Sequence, residues 1–199
     1  MKIKKGFTLL ELLIVIGILA ILSTTVVLVI NPAQLLKKAR DSQRISDLNT
    51  VKTAIAYYIT EAPNLATGDI GDVGQTYSDV AGNTCFGLVS TVTSTTPSVD
   101  GWIPIAFNDL TGGSPIGSLP RDPSQTVATG NHYYAYGVAS GTDYTFKLVT
   151  NMESTYYSEG EAGDVESIDG GNDAGLYEVG TGMTEDVEIG PACFENQTP

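Results

Sequence analysis

Positive charge is scarce in most of this 199-residue chain. Residues 53–199 contain 20 acidic residues and only two basic ones, a net charge of −18. Residues 1–52 contain eight basic and three acidic residues, a net charge of +5. A surface that binds nucleic acid neutralises phosphates with lysine and arginine. The charge distribution therefore argues against direct nucleic-acid binding by the C-terminal part.

Histidine and cysteine are also rare, with one and two residues respectively. The single histidine, His132, excludes most histidine-based mechanisms, and we expect it to be structural. The sequence contains no Ser/His/Asp order, no Cys/His pair and no Cys-x-x-Cys metal site. We therefore expect the protein not to be an enzyme and to require no cofactor.

One long apolar segment lies near the N-terminus, in residues 7–30, and Glu11 is its only charged residue. As a helix rising about 1.5 Å per residue, it is long enough to cross a bilayer. A secretory signal peptide, a plain membrane anchor and a processed assembly helix are the three interpretations. The segment is long for a signal peptide and lacks an A-x-A-like cleavage site. A plain anchor leaves Glu11 unexplained, since a carboxylate costs about 2.5–3.5 kcal/mol at mid-bilayer and less near a helix end.

The residues around Glu11 favour the third interpretation. The stretch from Lys5 to Glu11, KGFTLLE, resembles the class III leader of type IV pilins and type II secretion pseudopilins. The resemblance is strong over residues 1–30. It implies that a prepilin peptidase cuts between Gly6 and Phe7 on the cytoplasmic side, and that Phe7 is then N-methylated.

Glu11 is the residue that we expect to direct assembly. Cleavage would leave the amino group of Phe7 at the start of an apolar helix, where the helix dipole is already positive. Inside a filament this charge would be buried, and the Glu11 carboxylate of a neighbouring subunit can neutralise it. A subunit in the wrong register would leave a buried charge unpaired, so the pair would set the register.

Basic residues flank the apolar segment on both sides. The three lysines before it favour a cytoplasmic N-terminus, and the cluster after it opposes that orientation, but long translocated domains largely escape the charge rule. We therefore expect a single-pass protein of the cytoplasmic membrane before assembly. After assembly we expect a cell-surface filament or an extracytoplasmic pseudopilus.

Residues 31–62 predict a second helical segment. A kink or break is expected at Asn31-Pro32, because proline removes a backbone donor and restricts the residue before it. Apolar residues at three- and four-residue steps predict a stripe that packs on a sheet. The stripe comprises Leu35, Leu36, Ala39, Ile45, Leu48, Val51, Ile55 and Tyr58.

The polar residues of this segment are expected on its other faces. We interpret them as a solvated surface, and the alternative is contact with the acidic body of a neighbouring subunit in a filament. They are Arg40, Asp41, Gln43, Arg44, Asp47 and Lys52.

Residues 63–199 are rich in Gly, Thr, Ser, Asp and Tyr and predict an acidic, β-rich globular body. Residues 64–84 predict a loop. Short β-rich runs bounded by turn signals predict four strands, the last two joined as a hairpin whose tyrosines pack across the sheet. The predicted strands are residues 86–92, 102–107, 132–138 and 144–150.

A short segment before the predicted hairpin also resembles pilins. It reads LPRDP at residues 119–123, and many pseudopilins and Gram-positive pilins place a Pro-x-Asp-Pro element there. We interpret Asp122, next to Arg121, as part of a turn.

Cys85 and Cys193 are the two cysteines of the chain. Because the body is expected outside the cytoplasm, we predict a disulfide between them, with free or intermolecular thiols as the alternative. Closing a loop of about 109 residues would stabilise the fold by at most about 4–5 kcal/mol. Pilins commonly carry a C-terminal disulfide, although around a shorter loop.

Four acidic residues lie in a glycine-rich stretch near the C-terminus, namely Asp164, Glu166, Asp169 and Asp173. Oxygen-rich loops suit Ca²⁺, and the resemblance adds that major pseudopilins bind calcium in a C-terminal loop. The spacing matches no EF-hand loop. We therefore favour a solvated acidic loop over a calcium site and keep the calcium site as the alternative.

The sequence thus predicts an α+β fold, with a long N-terminal α-helix that is transmembrane in its first half and packs its amphipathic second half on an antiparallel β-sheet. The expected parts are a leader (1–6), an assembly helix (7–30), the soluble half of the helix (31–62) and the body (63–199). The expected function is that of a structural subunit in a type IV pilus-like filament of identical or related pilins. Its expected partners are a prepilin peptidase, an inner-membrane platform and an assembly ATPase. The alternatives are a pseudopilin of a type II secretion-like system and a membrane-tethered binding domain that never polymerises.

Overall fold

The computed structural model describes residues 6–62, 64–80, 92–124, 132–140 and 143–182. The chain divides into two compact units, Met1–Lys37 and Lys38–Pro199. Two long helices come first, and four strands form one antiparallel sheet, so the predicted α+β class is confirmed. The elements are α1 (Leu9–Ile30), α2 (Pro32–Glu61), β1 (Thr76–Ser78), a 3₁₀ turn (Phe107–Asp109), β2 (Ala135–Ser140), β3 (Thr145–Thr150) and β4 (Tyr177–Gly180).

The predicted break between the helices lies at Asn31. This residue adopts a left-handed backbone conformation (φ 41°, ψ 77°) and ends α1. Pro32 then starts α2, because its missing N–H is not needed at the first helical position. The Asn31 Oδ1 atom accepts a hydrogen bond from the Gln34 N–H at 3.4 Å, so Asn31 closes one helix and caps the next.

The sheet has the order β1-β2-β3-β4, with every neighbouring pair antiparallel. The predicted hairpin is confirmed as β2 and β3. Tyr136 lies opposite Leu148 and Val138 lies opposite Phe146, with a register shift between Val138 and Ser140. The Tyr136 and Phe146 rings are 6.1 Å apart, which bears out the predicted aromatic packing across the sheet.

The main core lies between α2 and one face of this sheet. From α2, Leu48, Val51 and Ile55 are fully buried and belong to the same cluster as Tyr136 and Phe146. The C-terminal part of the predicted apolar stripe is therefore confirmed as core. Its N-terminal part is not, because Leu35, Leu36 and Ala39 are exposed.

The predicted strand at residues 102–107 is wrong. Its apolar side chains are buried, but its backbone bonds locally: the Ile105 N–H donates to Ile103 O and the Phe107 N–H donates to Ile105 O, each at 2.9 Å. Such tight turns leave no ladder for a neighbouring strand. Trp102 is buried in the core and donates from Nε1 to Pro120 O at 3.0 Å.

The two outer strands were missed by the sequence analysis. β1 has three residues and lies inside the predicted loop, and β4 has four. Segments this short carry too little alternation to predict a strand and depend on pairing with β2 and β3. The predicted strand at 86–92 lies outside the described residues except for Val92.

Candidate functional site

The N-terminus of α1 places the predicted cleavage residues just outside the helix. Gly6, Phe7 and Thr8 precede the first helical residue, Leu9, and Phe7 is 84% exposed. The Gly6–Phe7 peptide bond is thus non-helical and exposed, and both properties make a peptide bond accessible to a protease. The leader residues 1–5 lie outside the described residues.

Thr8 and Glu11 form a reciprocal capping box at the start of α1. The Thr8 Oγ1 atom accepts a hydrogen bond from the Glu11 N–H at 3.2 Å. In return, Glu11 Oε2 accepts from the Thr8 N–H at 2.9 Å and from the Thr8 hydroxyl at 2.8 Å. The sequence analysis missed this arrangement, although Thr-x-x-Glu before an apolar run is its signature. Within one subunit, Glu11 therefore has a local partner.

The rest of α1 is an apolar surface that the subunit does not cover. Leu9–Val27 has a mean hydropathy of 2.5, and no part of it is buried. It is long and apolar enough to cross a membrane. The hydroxyls of Ser23, Thr24 and Thr25 donate hydrogen bonds to backbone carbonyls of α1 at 2.7–2.9 Å. These three side chains therefore leave no hydroxyl donor unpaired on the apolar surface. The apolar surface continues into α2 through Leu35 and Leu36, which are 59% and 62% exposed.

A buried cluster of charges fixes α2 to the body, where the sequence predicted a solvated face. Asp41 and Arg44 are both 0% exposed, so that prediction is wrong for them. Arg44 makes a two-pronged contact with Asp122, Nε to Oδ2 at 2.7 Å and Nη2 to Oδ1 at 2.9 Å. Its Nη1 donates to Asp41 Oδ1 at 2.6 Å. The helix presents a guanidinium to its own body rather than to a neighbour.

Backbone donors and a second arginine complete this cluster. The Asp41 carboxylate accepts the N–H groups of Glu153 and Ser154 at 2.8 and 2.7 Å. Arg40 pairs with the Glu153 carboxylate, with Nε to Oε2 at 2.7 Å. These bonds join α2 to the segment that follows β3, so the helix is held by directional contacts as well as by apolar packing.

Arg44 and Asp122 shift each other's pKa values. Burial alone would lower the pKa of Arg44, but the hydrogen bonds and charges of Asp122 and Asp41 outweigh burial and raise it. Burial alone would likewise raise the pKa of Asp122, but Arg44 holds it below its ordinary value. Asp122 also accepts the Ser124 N–H at 2.8 Å, so the predicted turn role is present beside the ion pair.

Two polar residues next to this cluster are buried and structural. Asp79 accepts the N–H groups of Asp122 and Tyr134 at 2.8 and 3.0 Å, and burial raises the pKa of Asp79 to about 6. His132 is 7% exposed, and its Nδ1 lies 3.0 Å from Asn151 Oδ1. Burial, reinforced by the charge of Arg44, lowers the pKa of His132.

The four acidic residues considered for calcium are tied into local turns. Asp164 accepts the Gly160 and Ser167 N–H groups at 2.9 and 3.0 Å, and Asp169 accepts those of Gly171 and Glu178. Glu166 accepts the Met152 N–H at 3.0 Å, and Asp173 accepts that of Gly175 at 2.9 Å.

Each of the four carboxylates thus accepts hydrogen bonds from its own set of backbone N–H groups. In the described part of the chain, no three acidic, histidine or cysteine side chains are grouped so as to hold a metal ion. Calcium binding at this loop stays a prediction. The loop is not wholly solvated either, because Glu166 is 6% exposed and burial raises its pKa to about 7. Cys85 and Cys193 both lie outside the described residues, so the predicted disulfide also stays a prediction.

Comparison with known proteins identifies the N-terminal segment. Residues 1–27 match the prokaryotic N-terminal methylation motif, the class III prepilin leader, which is consistent with a type IV pilin or pseudopilin. Comparisons with curated proteins and with solved structures find no match. The likeness therefore covers the leader and most of α1, and the body contributes its fold alone.

The motif and the fold together define a class of protein. The chain has a pilin-like fold, with a prepilin leader before an apolar helix and a second helix packed on a four-stranded antiparallel sheet. The motif indicates a structural subunit rather than an enzyme, processed by a prepilin peptidase and assembled with pilins or their machinery. The motif and the apolar α1 also indicate membrane anchoring.

Proposed function

We propose that this protein is a structural subunit of a type IV pilus-like filament, assembled through α1 after cleavage between Gly6 and Phe7. The observation that carries the proposal is the wholly unburied apolar surface of α1 directly behind a prepilin cleavage motif. A bilayer can cover this surface before assembly, and α1 helices of other copies can cover it afterwards.

The capping box supports a role for Glu11 in the passage of α1 from the bilayer into the filament. Before cleavage, the Glu11 carboxylate has the Thr8 N–H and hydroxyl as donors. Cleavage creates a charged amino group on Phe7, and Glu11 of an adjoining copy can neutralise it. This contact would join two opposite charges, whereas the local cap offers Glu11 only neutral donors, so an incoming amine can compete with the cap.

The fixed junction between α2 and the body supports a filament subunit rather than a loose tether. Arg44, Asp41 and Asp122 hold α2 rigidly against the sheet. A body attached in this way keeps a defined orientation on α2, and a repeating lattice requires subunits with defined surfaces. A pseudopilin in a secretion filament is the second candidate, and it shares the same processing and assembly steps.

The test separates processing from polymerisation in the host cell. We expect Glu11→Leu to be cleaved by the prepilin peptidase yet to give no filaments in sheared fractions or in electron micrographs. Glu11→Gln, which keeps the cap but loses the charge, should also fail to assemble. Ser42→Ala, an exposed change elsewhere in the chain, is the control and should assemble normally.

Two results would contradict the proposal. If Glu11→Leu polymerises as well as the wild type, Glu11 does not direct assembly. If the wild type stays monomeric in the membrane while a prepilin peptidase processes it, the chain is a tethered domain. Finding the filament confined to the periplasm with secretion components would select the pseudopilin.

A further inference from the structure

Lys147 is the only lysine in residues 53–199, and its side chain is fully buried. It lies in β3 between Phe146 and Leu148, both of which belong to the main core. Because side chains alternate along a strand, Lys147 lies on the opposite face of the sheet. Burying a charged ammonium is costly unless it is paired, so the groups around this lysine need an explanation.

The neighbouring strands leave room for the lysine side chain. Lys147 pairs with Gly137 in β2 and with Gly180 in β4, so neither neighbour has a side chain on this face. A Cβ atom added to Gly180 would lie 2.1 Å from the Phe146 carbonyl oxygen, so this position accepts only glycine. Lys147 can therefore reach the segment that covers the sheet just before β4.

Asn172 of that segment and Glu178 of β4 both contact the ammonium. Lys147 Nζ lies 2.9 Å from Glu178 Oε1, and it donates a hydrogen bond to Asn172 Oδ1. Both Lys147 and Glu178 have fully buried side chains. The contact of Glu178 Oε1 with the ammonium therefore pairs two opposite charges away from water.

The backbone before β4 is folded so as to hold these groups together. The Asp173 N–H donates to Glu178 Oε2 at 3.1 Å, and the Glu178 N–H donates to Asp169 Oδ2 at 2.5 Å. A Cβ atom on Gly171 would lie 1.7 Å from Glu178 Oε2, so a side chain there would displace the carboxylate. The turn thus wraps around Glu178 and presents the Asn172 carboxamide to the lysine.

We propose that Lys147 and Asn172 become joined by an intramolecular amide bond, with Glu178 as the proton carrier. The reaction requires an amine, a carboxamide and a carboxylate close together, and the Lys147 amine contacts both of the other two groups. Proximity replaces an activating cofactor. The proposal stands on the body alone and does not depend on whether the chain polymerises.

The reaction balances without any oxidant or activated co-reactant. The Glu178 carboxylate takes one proton from the Lys147 ammonium, and the freed electron pair on Nζ attacks Asn172 Cγ, moving the carbonyl π electrons onto Oδ1. When the carbonyl re-forms, the Cγ–Nδ2 bond breaks, and the departing nitrogen takes the proton from Glu178. A second proton passes from Nζ to the departing ammonia, so the net change converts one ammonium and one carboxamide into an amide and an ammonium ion. Asn172 is exposed, so the released ammonia passes directly to water.

Such a bond would stabilise one edge of the sheet. β4 has only four residues, and the crosslink would tie the turn that precedes it to the middle of β3. Separating this turn from β3 would then require breaking a covalent bond.

Mass spectrometry of the full-length protein, purified in detergent and reduced, tests the proposal. Arg121 and Lys147 are the last two sites at which trypsin can cut, and an amide on Nζ blocks the second. We expect an intact chain lighter by one ammonia, and after denaturation and digestion one peptide covering residues 122–199. Fragmentation of that peptide should place the link between Lys147 and Asn172.

Variants assign the reaction to these groups. Asn172→Ala removes the attacked carbon at an exposed position, and Glu178→Gln removes the proton carrier while keeping its shape. Both should restore the full mass and cleavage after Lys147, and Asn172→Ala should lower the melting temperature. Asn108→Ala changes another exposed carboxamide and should leave the link intact.

Three results would overturn the proposal. The first is a wild-type chain of full mass that trypsin cuts after Lys147. The second is a loss of ammonia with Lys147 still cleavable, because that pattern means ring closure at an asparagine. The third is a blocked Lys147 that persists in Asn172→Ala, because the acceptor would then be another residue.

Discussion

The large apolar side chains of α1 lie in the opposite environment to those with which α2 packs on the body. In α1 they are between 45% and 81% exposed wherever the structure describes them, whereas Leu48, Val51 and Ile55 of α2 are 0% exposed. α2 and the body bury a shared core and pair the buried Arg44 and Lys147 with carboxylates. The N-terminal helix does neither, and its only charged group, Glu11, is held by a local cap. The contrast shows a chain with one region that folds by itself and one that must be covered by something else.

The buried charges should give the largest effect in the body. Replacing Arg44 by Met leaves Asp41 and Asp122 buried without their cation, and losing one partner of a buried pair costs about 3–5 kcal/mol. We expect Arg44→Met to lower the free energy of unfolding by that amount in the full-length protein in detergent. The fluorescence of Trp102, the only tryptophan and fully buried, reports this unfolding.

Arg40→Met is the matched control for this variant. Arg40 is 32% exposed in its ion pair with Glu153, so its loss should cost about 1 kcal/mol or less. Equal effects of the two variants would show that the Arg44 cluster does not anchor α2.

One substitution made in both regions tests the contrast directly. Leu48→Ala empties a site in the core and should lower the free energy of unfolding of the body by about 2–5 kcal/mol. Leu19, which is 55% exposed in α1, should leave that free energy unchanged when replaced by Ala. A clear loss of body stability in Leu19→Ala would mean that α1 is part of the folding unit.

The buried acids of the body should make its stability depend on pH. Burial raises the pKa of Glu166 to about 7, so the folded state holds a proton that the unfolded chain has lost above about pH 4. Its contribution is therefore unfavourable at high pH, and stability falls as the pH rises through the pKa of the folded state. Asp79, with a pKa of about 6, acts in the same direction, and His132, whose pKa is lowered, acts against it.

The Glu166→Gln variant isolates this contribution. Between pH 5 and pH 8 the wild type should lose about 1–2 kcal/mol of unfolding free energy relative to Glu166→Gln. Chemical denaturation at the two pH values measures the difference. A constant difference would mean that Glu166 ionises at its ordinary pKa in the folded protein.

The smallest expected effect concerns the cap of α1. Thr8→Ala removes both bonds between the residue-8 side chain and Glu11, and we expect about fivefold faster amide exchange in the first turn of α1. The unfolding of the body should not change. Thr8→Ser keeps the hydroxyl and should exchange at nearly the wild-type rate, whereas fast exchange in Thr8→Ser would assign the effect to the lost methyl group.

Local patterns predicted the elements whose cause is local. The apolar run, the Asn31-Pro32 break and the Tyr-rich hairpin each follow from a few neighbouring residues, and all three are present. The Thr8–Glu11 cap is equally local and could have been predicted from its spacing.

Features with distant partners could not be predicted in this way. Arg44 meets Asp122 and Glu153, which lie 78 and 109 residues away along the chain, so helical periodicity assigned it to a solvated face. Lys147, Asn172 and Glu178 are brought together only by the pairing of β3 with β4 and the turn before it. The short strands β1 and β4 likewise depend on their neighbours in the sheet.

The most direct test of the account is the mass of the N-terminal peptide of subunits recovered from isolated filaments. If α1 leaves the bilayer after cleavage and is then covered by other copies, that peptide begins at Phe7 and carries one added methyl group on its amine. Filament material in which Met1 to Gly6 is still attached would contradict the account.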